Sequence, residues 1–222
     1  MIRNLKKIKD GNRDGLVTKN LVPGESVYGE ELIEIEGEEY RLWNPLRSKL
    51  ATAILLGTKA LPELYQKKII YLGASHGTTV SHVSDLVGAE GIIFAVEFSS
   101  RAAREFVAKC SNRENIIPII EDARNYLKYR GIFGHVDIVY CDIAQPDQTN
   151  IAISNCKAYI NTGGILILVV KARSIDVAVD PNTVFHEEEA IIAGSDFEIL
   201  EKIDLSPFHK AHLLIIAKYL GR

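Results

Sequence analysis

The stretch Ile69-Ile70-Tyr71-Leu72-Gly73-Ala74-Ser75-His76-Gly77-Thr78-Thr79 constrains this chain more than any other. Its first part, Ile69 to Leu72, is β-branched and aromatic and reads as a short buried strand. Gly73 and Gly77 permit backbone dihedrals and close approaches that a Cβ forbids. Thr78 then stands as N-cap of a helix that runs through Val80, Val83 and Val87 to a C′ glycine, Gly88. A strand, a glycine turn and a helix N-terminus form a cradle for a ligand with oxygen-rich or anionic parts. Three readings of the turn stay open at this point. It can be a tight βα turn holding nothing, a nucleotide or adenosine site, or a nucleophile elbow, because Gly73-Ala74-Ser75-His76-Gly77 fits G-x-S-x-G.

From Ile69 onward strands alternate with helices. Ile92 to Glu97 is a buried strand ending in an acid, and Ser99 caps a helix from Arg101 to Lys109. Ile116 to Ile120 is a third strand, and Pro118 marks it as an edge strand or a bulge. Asp122 starts a short helix through Leu127. Val136 to Asp142 is a fourth strand, again with a terminal acid. Pro146 opens a helix to Tyr159 that Gly163-Gly164 ends, and Ile165 to Val170 is the most apolar strand, followed by Lys171. A helix over Asn182 to Ala193 leads to two strands, Phe197 to Leu205 and His212 to Lys218, which should pair antiparallel. This alternation implies a mostly parallel sheet with right-handed crossovers, whose ligands sit outside the carboxyl ends of the strands. Those ends carry Gly73 to Thr79, Glu97, Asp122, Asp142 and Lys171. Functional groups delivered by strand after strand to one edge weigh more than any single motif.

Residues 1 to about 46 have a different pattern. Leu16-Val17-Thr18 and Leu32-Ile33-Glu34-Ile35-Glu36 alternate as strands, Gly37-Glu38-Glu39 turns, and Tyr40-Arg41-Leu42-Trp43 returns. A β module this small buries little by itself and is expected to pack on the main domain or on a partner. Asn44-Pro45 opens a helix whose Leu46, Leu50, Ala53 and Ile54 face a core, with Lys49 held near the protein body.

Composition narrows the function classes. A chain of 222 residues with a formal charge of −3 suits one α/β domain with a small appendage, and its charge argues against an unaided grip on nucleic acid. A local basic face is still possible. Lys6, Lys7 and Lys9 read as solvated surface, whereas Arg41, Arg47 and Lys49 read as a functional group of cations. Cys110, Cys141 and Cys156 lack metal-type or disulfide-type spacing, so free thiols in a reducing cytoplasm are expected, and no metal. No apolar run reaches the ~18 residues of a membrane span, and Met1 to Asp10 has no apolar signal-peptide core.

The acids favour an adenosyl ligand. Glu97, about twenty residues past the glycine turn, is placed to accept hydrogen bonds from ribose hydroxyls. Phe98 offers a face for adenine, or is core. Asp122-Ala123 can accept the adenine amino group, or Asp122 can only cap its helix. Asp142 can hold a charged amino end. No G-x-x-x-x-G-K-[ST] is present, and the turn lacks the third glycine of a dinucleotide fingerprint. S-adenosylmethionine, which carries no phosphate, fits this turn better.

Over several longer stretches the chain resembles the archaeal fibrillarins, the RNA 2′-O-methyltransferases of C/D-box guide ribonucleoproteins. The matching segments are Leu21 to Gly29, Trp43-Asn44-Pro45-Leu46-Arg47-Ser48-Lys49-Leu50-Ala51, Tyr71 to Val83, Asp142-Ile143-Ala144-Gln145-Pro146-Asp147-Gln148 and Lys171 to Asp176. The resemblance implies an α/β, Rossmann-like class I methyltransferase domain at 47–222, a seven-stranded mostly parallel sheet with a final antiparallel strand, behind a small β-rich domain at 1–46. It implies S-adenosylmethionine contacts at Thr78, Thr79, Glu97, Phe98, Asp122, Ala123, Asp142, Ile143, Ala144 and Gln145, which Gly73 of the turn joins. It implies a catalytic group of Lys49, Asp142, Lys171 and His212. It further implies a C/D-box guide RNA, an rRNA or tRNA substrate, a Nop-domain scaffold protein and, through it, a kink-turn-binding ribosomal-type protein. Two positions depart from the family: His76 stands where the family is usually small, and Ala211 where it usually has Asp.

Methyl transfer from a sulfonium is an in-line displacement in which positioning does much of the work. A ribose hydroxyl attacks poorly until its proton leaves. Lys171 can take that proton where a neighbouring cation such as Lys49, or a dry pocket, makes its amine available. Two rivals remain. Ser75, Asp142 and His212 stand in the chain order of an α/β-hydrolase triad. A methyltransferase-like scaffold without a cofactor is the other, and the intact acids speak against it.

Overall fold

The computed structural model describes residues 2–10 and 13–221. In chain order, β1 (Leu5–Asp10), β2 (Arg13–Lys19), β3 (Leu32–Ile35) and β4 (Glu38–Trp43) form an antiparallel sheet of order β1-β2-β4-β3. Glu36 and Gly37 both have positive φ, the two-residue turn that matches strand twist in a tight hairpin. The turn therefore starts one residue earlier than Gly37-Glu38-Glu39, and Glu38 and Glu39 already belong to β4. β1 was hidden by its lysines. It pairs with β2 from Leu5↔Thr18 to Asp10↔Arg13, and Lys6 spans it to Glu36 at 2.6 Å, so these cations decorate a strand.

The main body follows with α1 (Lys49–Leu55), β5 (Lys68–Leu72), α2 (Thr78–Val87), β6 (Ile92–Val96), α3 (Ser100–Cys110), β7 (Ile116–Ile119), β8 (Val136–Cys141), α4 (Gln148–Tyr159), β9 (Ile160–Lys171), α5 (Ala172–Ile175), α6 (Pro181–Ala193), β10 (Phe197–Asp204) and β11 (His212–Tyr219). Its seven strands lie in the order β10-β11-β9-β8-β5-β6-β7. β5, β6, β7, β8 and β9 pair parallel, and β11 runs antiparallel to both β9 and β10. β7 is an edge strand, which accommodates Pro118. β8 and β5 are central, and Ile69, Ile70, Tyr71, Leu72, Val139 and Cys141 are buried. Such strands read as unbroken apolar runs because helices cover both faces. The small sheet shares this core: Leu16, Val27 and Trp43 pack with Val80, Val83 and Leu86 of α2.

Three expectations change. The helix from Pro45 is two pieces: a 3-10 turn, Pro45–Arg47, then α1, with Ser48 extended between them (φ −147°, ψ 114°). Asn44 caps the first piece through Leu46 N, and Ser48 caps the second through Ala51 N. The break turns Leu46 out to 64% exposure and starts α1 at Lys49. Second, the N-cap of α2 is Gly77, at φ +91°, with Thr78 as first helical residue. A Cβ on Gly77 would lie 3.0 Å from Cys110 Sγ and 3.3 Å from the Phe106 ring, so α3 packs there only against glycine. Third, α4 begins at Gln148 and ends at Tyr159 without glycine, and Gly163-Gly164 fall inside β9, which starts at Ile160. A Cβ on Gly164 would meet the Asp137 carbonyl at 2.8 Å, so glycine there serves the β8–β9 contact. The three cysteines are free and buried, and burial pushes the Cys110 thiol up to about 11 and Cys141 to about 12, which leaves them inert.

Candidate active site

β5 ends against β6 and β8, so the glycine turn is bracketed by the loops after both strands. Gly73 N and Ala74 N both donate to the Val96 carbonyl, at 2.9 and 3.2 Å. A Cβ on Gly73 would lie 2.8 Å from the Asp142 carbonyl, so only glycine lets these loops approach. Ser75 then sits at φ +50°, which aims its N–H at Glu97. Glu97 accepts from Ser75 N on Oε2 and from Ser99 N on Oε1, both at 2.8 Å. Its carboxylate is thus 6% exposed, fixed at both oxygens and still has lone pairs facing the edge.

Two adjoining cavities open along this edge. The first, about 300 Å³, is lined by Gly73, Ser75, Val96, Glu97, Phe98, Glu121, Asp122, Ala123, Asp142, Ile143, Ala144, Gln145 and Lys171. The second, about 390 Å³, is lined by Arg47, Lys49, Tyr71, Ala74, His76, Thr78, Thr79, Glu105 and Lys109, and it shares Gly73, Ser75, Asp142 and Lys171 with the first. Phe98 is 60% exposed, an aromatic face left open beside the first cavity. Asp122 does both things expected of it: Oδ1 caps its 3-10 helix at Arg124 N, 2.9 Å, and the residue lines the cavity.

Asp142 stands on the shared wall. Lys171 Nζ lies 2.8 Å from its Oδ1 and donates to its carbonyl at 2.9 Å, and Lys49 Nζ lies 3.3 Å from its Oδ2. Burial alone would push this carboxyl up, but Lys171 and Lys49 outweigh it and hold it below the ordinary carboxylate range. His212 is directly opposite Lys171 in the β9–β11 pairing. Burial lowers its basicity and Lys49 and Lys171 add to that, against the Lys210 carbonyl, which is 2.8 Å from Nδ1, and Asp142. The imidazole is therefore neutral at pH 7. His209 Nε2 lies 2.9 Å from the Pro45 carbonyl and ties the loop before His212 to the segment carrying Arg47 and Lys49.

The sheet thus brings Lys49, Asp142, Lys171 and His212 to one corner. Thr78 and Thr79 line the second cavity, and Glu97, Phe98, Asp122, Ala123, Ile143, Ala144 and Gln145 line the first. Arg41 leaves the expected trio of cations: it is fully buried against Glu30 and Asp85. Arg47 of that trio stays with Lys49 and lines the second cavity, its guanidinium 4.7 Å over the Tyr28 ring. Gln148, wholly buried behind Lys171, has no role of its own in the sequence reading. The hydrolase triad is not assembled. Asp142 is taken by two lysines, His212 Nδ1 faces a carbonyl, and Ser75 Oγ lies 3.0 Å from the exposed His76 ring. Among the described residues no cluster suited to a metal ion is found.

The donor set fits S-adenosylmethionine on observations independent of any relative. The cavity has room for a nucleoside, Glu97 is prefixed for a diol, Gly73 leaves space beside the Asp142 carbonyl that a Cβ would fill, and the start of α2 has no side-chain cap, which leaves its amides for a carboxylate.

Comparison with known proteins gives a consistent result. The family model described as Fibrillarin matches residues 3–221. A fibrillarin-like rRNA/tRNA 2′-O-methyltransferase from Sulfurisphaera tokodaii is 48% identical over 207 residues, 93% of this chain and 89% of that protein. A crystal structure of Aeropyrum pernix fibrillarin with natively bound S-adenosyl-L-methionine superposes with a TM-score of 0.89 at 42% identity, covering 97% of this chain and 94% of that one. A chain from a fibrillarin/Nop5p complex superposes with a TM-score of 0.88 at 40% identity, covering 99% of each.

Proposed function

This chain belongs to the fibrillarin family, and from that premise we propose that it moves a methyl group from S-adenosylmethionine to the 2′-hydroxyl of guide-selected nucleotides in rRNA or tRNA, as the catalytic subunit of a C/D-box ribonucleoprotein. The observation that carries this reading is Asp142, which grips two lysines on the wall between an adenosine-sized cavity and a basic one.

When bound, S-adenosylmethionine supplies an electrophilic methyl group on a sulfonium. Glu97 would hold the ribose diol, Asp122 and Ala123 the adenine edge, Phe98 its face, and Ile143, Ala144 and Gln145 the far wall. Thr78 and Thr79, at the uncapped start of α2, suit the carboxylate end. Lys171, as the free amine, takes the 2′-hydroxyl proton on Nζ. With that amine uncharged, Lys49 and Asp142 balance each other. Lys49 and Asp142 hold the amine in place, and Lys49 steadies the developing alkoxide. Neutral His212 steers the ribose. Arg47 and Lys109, on the rim of the second cavity, meet the phosphate backbone. In this scheme residues 1–46 are the small β module and residues 47–222 the methyltransferase domain.

A Nop-domain scaffold protein is the partner, as in the fibrillarin/Nop5p complex. We assign the guide RNA and a kink-turn-binding ribosomal-type protein to the same assembly, acting in the archaeal cytoplasm. With a formal charge of −3, the isolated chain should bind RNA weakly, leaving sequence choice to guide pairing and its own contacts to the A-form backbone and 2′-hydroxyls. No helix among the described residues is long and apolar enough to cross a membrane.

The test is Lys171→Ala in the reconstituted particle. Loss of a general base should slow methylation about 10²–10⁴-fold, with S-adenosylmethionine affinity retained by calorimetry. A native rate with cofactor bound overturns the role of Lys171.

A further inference from the structure

Gln148 is the first residue of α4 and is fully buried. Its side-chain amide spans two segments of the active edge. Oε1 accepts the Lys171 N–H at 3.0 Å, while Nε2 donates to the Gln145 carbonyl at 3.0 Å and reaches the Lys171 carbonyl at 3.5 Å. The topology explains why a side chain is needed there. β8 pairs with β9 only as far as Cys141↔Leu168, while β11 stays alongside to His212↔Lys171. Lys171 is therefore flanked by a strand on one side alone, and the amide stands in for the missing strand on the other. The Gln145 carbonyl that shares this amide belongs to the wall of the first cavity.

We propose that Gln148 is a positioning residue for methyl transfer, fixing the backbone of Lys171 so that its amine stays on Asp142 and fastening the cofactor wall to it. This rests on the reading of Lys171 as proton acceptor. Gln148 touches neither reactant. It acts through the lysine, whose Nζ makes its contacts at 2.8 and 2.9 Å and has no slack for a backbone shift.

The test is Gln148→Met, which keeps shape and length but removes every hydrogen bond, beside Gln148→Glu, Lys171→Ala and the double variant Gln148→Met/Lys171→Ala. In Gln148→Met, kcat should fall about ten- to a hundredfold, with KM for guide-paired RNA unchanged and S-adenosylmethionine binding weakened several-fold. In the cofactor-free protein the Lys171 amide hydrogen should exchange faster while neighbouring β9 amides stay protected. Because both changes act on one group, the double variant should be no slower than Lys171→Ala. Gln148→Glu in its acid form keeps an acceptor for the Lys171 N–H and one donor for the Gln145 carbonyl, so its rate relative to Gln148→Met should rise as pH falls. A lowered melting temperature with native kcat, native cofactor affinity and unchanged Lys171 exchange overturns the proposal. So does a double variant slower than Lys171→Ala by the full single-variant factor. A native rate for Lys171→Ala instead sinks the proton-acceptor reading, whatever Gln148 does.

Discussion

Asp85 and Asp142 each lie between two cations, yet the surroundings of the two carboxylates differ. Asp85, on α2, meets Arg41 at 2.8 Å and Arg113 at 2.6 Å, and also accepts from Thr18 Oγ1 and Leu21 N. The side chains of all three charged residues are 0–2% exposed. Asp142 meets Lys171 and Lys49, whose side chains are 14% and 23% exposed; Lys171 faces both cavities and Lys49 the second. Arginine stays charged at any working pH and presents a fork that fills several acceptors, so it suits a junction that must never titrate. Arg41 uses that fork on Glu30, Asp85 and Ser81 at once, which pins β4 to α2. Lysine carries one compact donor group and can lose its proton. Similar charge counts therefore make a rivet in one place and, under the proposed function, a reactive group in the other, and access and choice of cation separate them.

Exchanging the cations is the strongest way to break that contrast. Lys171→Arg keeps a cation on Asp142 but removes the group able to accept a proton. Methylation should fall about 10²–10⁴-fold in a single-turnover assay, with the melting temperature within a few degrees of native. The reciprocal change, Arg41→Lys, should do the opposite. One ammonium cannot serve Glu30, Asp85 and Ser81 together, and an under-paired buried carboxylate costs about 3 kcal/mol. Denaturant titration should show that loss while turnover per folded molecule stays native. If Arg41→Lys damaged turnover and spared stability, the two clusters would not be divided as argued.

The contrast was only half legible in the sequence. Gly73, Glu97, Asp122, Asp142 and Lys171 could be placed together because parallel strands send their carboxyl ends to one edge, and each of these groups closes an apolar run. The rivet could not. Arg41, Asp85 and Arg113 are far apart in sequence and lie on separate elements, so no local period links them. Arg41, near Arg47 and Lys49 in the chain, accordingly reads as part of the basic face. Gln148 belongs to one of the matching segments but carries no signal of its own, since its contacts to Lys171 arise only because β8 stops short of the end of β9. The Ser48 break is hidden because Asn44 and Ser48 are both good caps, four residues apart, and only packing decides that both are used.

The same comparison predicts a pH dependence. His82 sits inside the rivet, held by Thr18 at Nδ1 and Tyr28 at Nε2, both at 2.7 Å, and stacked 4.9 Å from Trp43. Asp85 Oδ2 is 3.9 Å from Nδ1, but burial first, then Arg41 and Arg113, push the imidazole well below its ordinary value of 6.5. The unfolded chain then binds a proton below that pH and the native protein does not. Stability should fall as pH drops from 6.5, by up to ~1.4 kcal/mol per pH unit for this one group. Denaturant midpoints at pH 7 and 5.5, compared with His82→Gln, should show a shallower slope in the variant. Equal slopes would remove His82 from the account.

The smallest effect concerns backbone strain at the reactive corner. Ala211 has φ +57°, a left-handed conformation in which an alanine Cβ crowds the following carbonyl at a cost of about 1 kcal/mol. Its carbonyl accepts the Ala172 N–H at 3.1 Å, and the next residue is His212, so the conformation helps to set where the imidazole emerges opposite Lys171. Asparagine tolerates this region better than alanine, and the site is partly open, so Ala211→Asn has room to relieve the strain without repacking. Its stability should rise by about 0.5–1 kcal/mol, a gain of roughly 1–4 °C in Tm for a chain of this size. If Ala211 only shapes the loop, turnover stays within about twofold of native. A larger change in kcat at constant cofactor affinity would mean that the strain itself aims His212, and would place Ala211 on the reactive side of the comparison with the rivet around Asp85.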